Sequence, residues 1–198
     1  MRFTRGAILL CFVGSLGGCA GTAAFGRTEN YESAWPAISG YTASNIDVLV
    51  LDKRPYVLSN DKKQSFVGLM RGGFGNPFDI YTTSGLPLSE DIEHAVVKGL
   101  QNVGIKSDGI SASDGGLRQA KSTNGKLLLI TLTEWKDDTF TTPHFEFNIL
   151  AEVYDEHGMQ LGSQQLQGSK AVSSTIEAGR QALSDLLASN SVSKALLN

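Results

Sequence analysis

The chain has 198 residues and a mass of 21.2 kDa, enough for one medium domain and too little for two comfortable ones. Apolar residues make up 41%, aromatics 8% and charged residues 19%, a globular composition that excludes wholesale disorder. Twenty-two glycines without a three-residue period exclude collagen, and a net charge of −3 with pI near 5.6 excludes a broadly basic surface, so no nucleic-acid partner is expected.

Met1, Arg2 and Arg5 make a short basic start. An uncharged, mostly apolar run follows over residues 6–16, through Ile8, Leu9, Leu10, Cys11, Phe12 and Val13. The run is about half of the roughly 18–20 residues that span a bilayer. A short apolar run behind a basic start is the layout of a secretory signal peptide. It ends in Leu16-Gly17-Gly18-Cys19, a tetrapeptide that resembles the lipobox of bacterial lipoproteins. The resemblance implies that the Cys19 thiol carries diacylglycerol, that the chain is cut before Cys19, and that the new amine is acylated, for example by palmitate. A plain signal peptide with an incidental cysteine is the alternative.

Removing residues 1–18, with Arg2 and Arg5, takes the chain from 198 to 180 residues and its charge from −3 to −5. Cys11 leaves with the signal and Cys19 carries lipid, so no thiol remains for a disulfide, a metal or nucleophilic chemistry. The expected division is 1–18 signal peptide, 19–45 lipidated Cys19 with a flexible tether, and 46–198 a single α/β periplasmic domain. Two or three acyl chains at about 0.8 kcal/mol per buried CH₂ anchor stably. Ala20 stands where Asp would signal retention at the inner membrane, which implies the outer membrane, facing the periplasm. Covalent lipid on Cys19 is the only cofactor-like group expected, and membrane lipid is the first partner.

Residues 20–45 are rich in Gly, Ala, Ser and Thr and lack a period; Tyr31 and Trp35 could dock on the domain. The run Ile46-Asp47-Val48-Leu49-Val50-Leu51 reads as a strand, and 64–70 as a second. Residues 71–78, punctuated by Gly and Asn-Pro, read as a loop. A helix is predicted over 87–103: Leu88, Ile92, Ala95, Val96, Gly99, Leu100 and Val103 fall in one stripe. Glu90, Asp91, His94, Lys98 and Gln101 lie on the opposite, wet face. Pro87 suits its first turn and Gly104 its end. Residues 105–110 form a short strand and 114–122 a short helix. Residues 126–135 are apolar on both faces, as in a central strand. Phe145, Phe147, Ile149, Ala151 and Val153 alternate with polar neighbours, as in a half-buried one. Asp155-Glu156-His157-Gly158 turns the chain back into 159–167. Ser174 and Glu177 cap a final helix carrying Ala182, Leu183, Leu186 and Leu187.

The order is β-β-α-β-(α)-β-β-β-α. It predicts an α+β fold: a mixed, largely antiparallel sheet, with a meander over the third to fifth strands and two main helices packed on one face. The first strand running into Leu51-Asp52-Lys53-Arg54-Pro55 resembles the V-x-D-x-R opening of YajG-type bacterial lipoproteins. The 88–104 helix, the 152–158 hairpin and the last helix match that family in order and length. The resemblance covers roughly residues 46–190 and implies a periplasm-facing domain with no assigned catalytic residues.

Searching the residues for chemistry gives little. Gly72-Gly73-Phe74-Gly75-Asn76 lacks the Gly-Lys-Ser/Thr ending of a phosphate loop. Gly109-Ile110-Ser111-Ala112-Ser113 ends in Ser where a nucleophile elbow needs Gly. His144 and Glu146 share a strand face, with Asp137 and Asp138 in the preceding connection; a hydrated sheet face explains them as well as a metal does. His94 and His157 have no evident partner, and helix-dipole complementarity explains Glu90, Asp91 and Glu93. No catalytic residue and no metal site is therefore expected. Arg71, Phe74, Asn76, Phe78 and Tyr81 instead put arginine and aromatics, the types that dominate binding energy, on a glycine-rich loop. That loop either binds a partner or folds back to close the core. The resulting expectation is a non-enzymatic membrane-anchored lipoprotein binding an envelope protein or another envelope component. The alternatives are an accessory subunit of an envelope transport or surface-assembly complex, and a periplasmic hydrolase.

Overall fold

A computed structural model describes residues 27–40, 42–110 and 125–197. In chain order these form β1 (Thr28–Glu29), a 3-10 turn (Tyr31–Ser33), β2 (Asn45–Asp52), α1 (Pro55–Leu58), β3 (Phe66–Arg71) and β4 (Pro77–Thr82). Then come α2 (Leu88–Asn102), β5 (Ser107–Gly109), β6 (Gly125–Thr139), β7 (Pro143–Tyr154), β8 (Gln160–Ala171), α3 (Thr175–Ala188) and α4 (Asn190–Leu197). The expected helix over 114–122 lies outside the described residues.

The long strand β6 organises the sheet. One of its edges pairs with β7, which pairs in turn with β8, both antiparallel. These last three strands are the meander. The expected third strand, 105–110, is formed over 107–109 and instead pairs in parallel with β2 at the sheet's edge. The other edge of β6 is shared by two strands in tandem. Parallel β2 covers Gly125 to Leu132, and parallel β3 covers Asp137 to Thr139. Beyond β3 lie antiparallel β4 and then β1, parallel to β4. The fold is thus a mixed α+β sheet, most of its paired length antiparallel, as the element order predicts.

Side-chain alternation sets which face is covered. Ile46, Val48 and Val50 of β2, Leu128, Ile130 and Leu132 of β6, and Phe145 to Val153 of β7 all bury toward the helices. A bulge between Leu132 and Glu134 inserts one residue into β6. The phase switches there, so that Trp135, Asp137 and Thr139 continue the helix-side row. A smaller cluster of Leu49, Leu127 and Leu129 sits on the opposite face.

All three longer helices contribute to the main core. Helix α2 ends as its sequence predicts. Gly104, at φ +81°, lets its N–H reach the Gln101 carbonyl and the Ile105 N–H reach that of Leu100, and Ile105 buries behind the cap. Ser174 Oγ accepts from the Glu177 N–H at 3.3 Å, but the Glu177 side chain turns to Arg180 rather than back to the cap. The single final helix expected is two, because Ser189 leaves the helical conformation at φ −58°, ψ 144°.

Part of the segment read as a tether is packed. Residues 31–38 run between α2 and α3. Tyr31 and Ala34 are fully buried, the Ala37 N–H donates to Ser184 Oγ at 2.9 Å, and Pro36 lies on Gly99. Tyr31 meets Trp135 edge-on at 5.5 Å, and Trp135 meets Phe145 the same way at 5.1 Å. The site admits this because residue 179 is glycine: a Cβ there would sit 2.7 Å from the Trp135 ring and 3.1 Å from that of Tyr31.

Two carboxyl groups of α2 are buried, one of them, Asp91, against the expectation of a wet face. Asp91 is fully buried and accepts from Ser84 Oγ at 2.5 Å. Glu93 is also buried, under β5, where a side chain at Gly109 would strike its carboxylate. Burial, opposed for Asp91 by the Ser84 hydroxyl, pushes Asp91 up to about 6, and burial pushes Glu93 up to about 7. The folded chain therefore holds protons there that the unfolded chain has already lost. Stability contributed by the pair is full below about pH 4 and is lost as pH rises through about 6 to 7. Urea titrations at pH 5 and pH 8 are expected to show a larger fall for wild type than for Glu93→Gln, which removes its share.

Candidate interaction surface

The tandem pairing on β6 leaves a gap at residues 133–136, between the end of β2 and the start of β3. Arg54 fills it. The Lys53 N–H still reaches the Leu132 carbonyl, after which the chain leaves the sheet through α1 and returns as β3. The Arg54 side chain is fully buried and uses all five of its N–H donors. Nε and Nη2 clasp Asp52 at 2.9 and 2.7 Å. Nη1 donates to the carbonyls of Phe66 at 2.6 Å and Trp135 at 3.2 Å, and Nη2 to that of Gln64 at 3.2 Å. Tyr56 adds its hydroxyl to the Trp135 carbonyl at 3.2 Å and to Glu134 at 2.7 Å. The Asp52-x-Arg54 motif is thus a structural clasp joining β2, β3 and β6 around carbonyls that no strand pairs. It is not a surface site.

Arg71 to Tyr81, expected as a loop, is mostly hairpin. Arg71 ends β3, residues 72–76 turn, and Pro77 to Thr82 form β4, with Ile80 buried in the core. Proline is accommodated as the first residue of the strand. The Gly72 N–H donates to the Asn76 carbonyl at 2.9 Å and the Gly75 N–H to that of Gly72 at 2.7 Å, with Gly75 at φ +81°. The five singled-out residues divide among three places. Phe74 stands at the tip, 99% exposed, so it does not close the core; Asn76 is beside it and also exposed. Phe78 shares the helix-side face with Ile80, half-buried, and lies 3.1 Å from where a Gly72 side chain would start. Arg71 and Tyr81 face the opposite side of the sheet.

Arg71 fastens this hairpin to the rest of the sheet. Its Nε and Nη2 donate to the two Asp138 oxygens at 2.7 and 2.6 Å. The fork geometry makes this a directional joint. Arg71 holds the Asp138 carboxyl below the usual carboxylate range. On β4, Asp79 takes Lys62 at 2.6 Å and the Tyr81 hydroxyl at 3.3 Å, and Lys63 lies 5.6 Å above the Tyr81 ring.

The four residues considered for a metal do not converge. Asp137 points into the helix side, is fully buried and accepts from Thr139 at 2.8 Å. Asp138 is held by Arg71, Glu146 by Lys136 at 3.1 Å, and His144 lies 2.8 Å from Ser169 Oγ. Both Asp residues lie within β6 rather than in a connection, because the strand runs four residues further than its apolar part. Among the described residues, no three His, Cys, Asp or Glu gather as metal ligands, and no helix is long and apolar enough to cross a membrane.

A residue that sequence reading missed is Phe140, 57% exposed in the β6–β7 turn. Met70 pairs with Thr139, so this turn sits beside the end of β3, next to the hairpin that carries Phe74. Its only sequence signal is an aromatic residue among Thr139, Thr141, Thr142 and Pro143. A second surface feature is an open groove of about 420 Å³ along Trp35, Pro36 and Ile38, facing Val103 and Arg180.

No family model matches the chain, and no curated protein matches it. Among solved structures, it is similar to a Xanthomonas campestris protein of family model DUF330. Identity there is 15%, with 86% of this chain and 88% of that one covered, at a TM-score of 0.45. It is also similar to a point variant of the PelC dodecamer from Paraburkholderia phytofirmans (14% identity, 77% and 90% covered, TM-score 0.45). A third is lipoprotein GNA1162 from Neisseria meningitidis (15%, 71% and 92%, TM-score 0.32). All three scores fall below one half.

Proposed function

We propose that this chain is a lipid-anchored protein of the bacterial cell envelope, held through Cys19 at the periplasmic face of the outer membrane. Its domain acts there by binding an envelope component rather than by catalysis. The observation that carries the reading is the tetrapeptide Leu16-Gly17-Gly18-Cys19 behind a basic start and an uncharged apolar run. The pinned hairpin supports it. An aromatic side chain wholly in solvent at the tip of a braced turn buries nothing within this chain and is available for a contact outside it.

The test is the intact mass of protein extracted from membranes, wild type beside Cys19→Ser. The expected mass is that of the chain from Cys19 plus two or three acyl groups, with the acylated species absent from the variant. An unlipidated wild-type mass would sink the anchoring and return the domain to the class of diffusible secreted proteins.

A further inference from the structure

The sheet has two ends of opposite character, and the first described residues lie nearer to one of them. Strand β1 runs parallel to β4, with Thr28 beside Tyr81 and Glu29 beside Thr82. Strand β4 itself runs away from the 72–76 turn, so Arg27, the first described residue, lies on the turn side of Thr28. The β6–β7 turn lies at the same end, because Met70 of β3 pairs in parallel with Thr139 of β6. Phe74 and Phe140 therefore share one end of the sheet, and the first described residues, Arg27 and Thr28, sit nearer to it than to the 155–158 turn.

The two turns at this end have one composition. Gly72-Gly73-Phe74-Gly75-Asn76-Pro77 and Thr139-Phe140-Thr141-Thr142-Pro143 contain no charged residue, and each carries a single phenylalanine. Those rings are 99% and 57% exposed. The nearest strong charges, Arg71 and Asp138, neutralise each other. The turn at the far end of the meander is Asp155-Glu156-His157-Gly158, two carboxylates and a histidine in solvent. One pole of the domain is thus an uncharged pair of aromatic tips, and the other is acidic.

Chain length brings the uncharged pole to lipid. Eight residues separate Cys19 from Arg27. Fully extended, they reach at most roughly 26–29 Å. A domain leashed that closely holds its nearer pole by the anchoring bilayer at high effective concentration, so a weak contact suffices. Glycine, threonine, asparagine and proline turns lose no charge hydration on approach, and their amides stay at headgroup level while the rings enter the acyl boundary.

We infer that the Phe74 and Phe140 turns form a two-pronged contact with the bilayer in which Cys19 is anchored, standing the domain on its uncharged pole with the Asp155–Gly158 turn directed away. This rests on the anchoring proposed above and names the envelope component met by the hairpin tip.

The full chain supplies the test. Lipidated protein carries no free thiol, so Phe74→Cys, Phe140→Cys and, as the opposite-pole control, Met159→Cys (63% exposed) can each be labelled with a polarity-sensitive fluorophore. The proteins are reconstituted into phosphatidylethanolamine–phosphatidylglycerol vesicles with brominated acyl chains, and floated. Expected are co-flotation of all three, a blue shift with loss of most emission at 74 and 140, and neither change at 159. Floated protein unquenched at 74 and 140 overturns the bilayer contact while leaving the anchor intact, and directs attention to a protein partner. Equal quenching at all three positions overturns the orientation. Failure to float, with an unacylated mass, overturns the anchoring and this inference with it.

Discussion

Arg54→Met is expected to destabilise the domain by about 3–5 kcal/mol, the loss typical of removing one partner from a buried ion pair. The expectation follows from the number of groups that depend on one guanidinium. Its removal strands the carbonyl of Phe66, leaves that of Trp135 to Tyr56 alone and that of Gln64 to the Leu88 N–H, and leaves Asp52 without its cation. Each stranded buried acceptor costs about 1–3 kcal/mol. Arg54→Lys is expected to recover little, because an ammonium has three donors at one point and cannot span Asp52 and three carbonyls in a plane. Urea unfolding measures both variants. Midpoints equal to wild type would mean that water or a rearranged β3 can replace the clasp.

Tyr31→Ala is expected to cost about 3–4 kcal/mol, as for other large-to-small aromatic changes in cores. The larger consequence is local. Tyr31 is the fully buried anchor of 27–40, wedged against Trp135 and Gly179, and the rest of that segment is held by smaller contacts. Hydrogen exchange should report it: the amides at 28–38 are expected to lose protection in Tyr31→Ala while those of β6 and β7 keep theirs. Tyr31→Phe keeps the ring and is expected to stay near wild type. In anchored protein the same change lengthens the leash from eight residues to more than twenty, and so weakens the bilayer contact at 74 without touching either ring. Uniform loss of protection over the whole sheet would show that the segment is not a separable unit.

Regular periods made much of this fold legible. The stripe of α2 and the alternation of β7 could be read directly, because each repeats a spacing over several residues, and the turn at 155–158 because Asp and Gly end that alternation. The segment at 27–40 had no such repeat. Tyr31, Ala34 and Ile38 bury one at a time along an irregular path, so only the groove between two helices reveals them as core. Strand β4 was obscured by Asn76-Pro77, which punctuates the chain where a strand starts. Asp91 looked wet because a helical wheel does not include Ser84, which meets it from the preceding loop.

The Asp52-x-Arg54 motif was visible as a pattern, but its role was not. Arginine is almost never fully buried, and nothing local announces that two parallel strands will leave a gap beside it. At the candidate site, Phe74 could be singled out, but not whether it would tuck in or stand out. The turn's own hydrogen bonds and the Arg71–Asp138 brace decide that. Phe140 escaped notice because its significance comes from the parallel pairing of β3 with β6, a contact between residues far apart in sequence.

The place of Tyr31 also sets an order of events during synthesis. Its partner Trp135 is more than a hundred residues downstream, and Gly179 lies beyond that. A chain made and threaded from its N-terminus cannot close this part of the core until nearly all of it has been delivered, because the wall formed by α3 is the last large piece to arrive. Until then Tyr31 has no seat to occupy, and the segment from Arg27 onward stays outside the core that later holds it, with the arrival of the C-terminal helices acting as the clock.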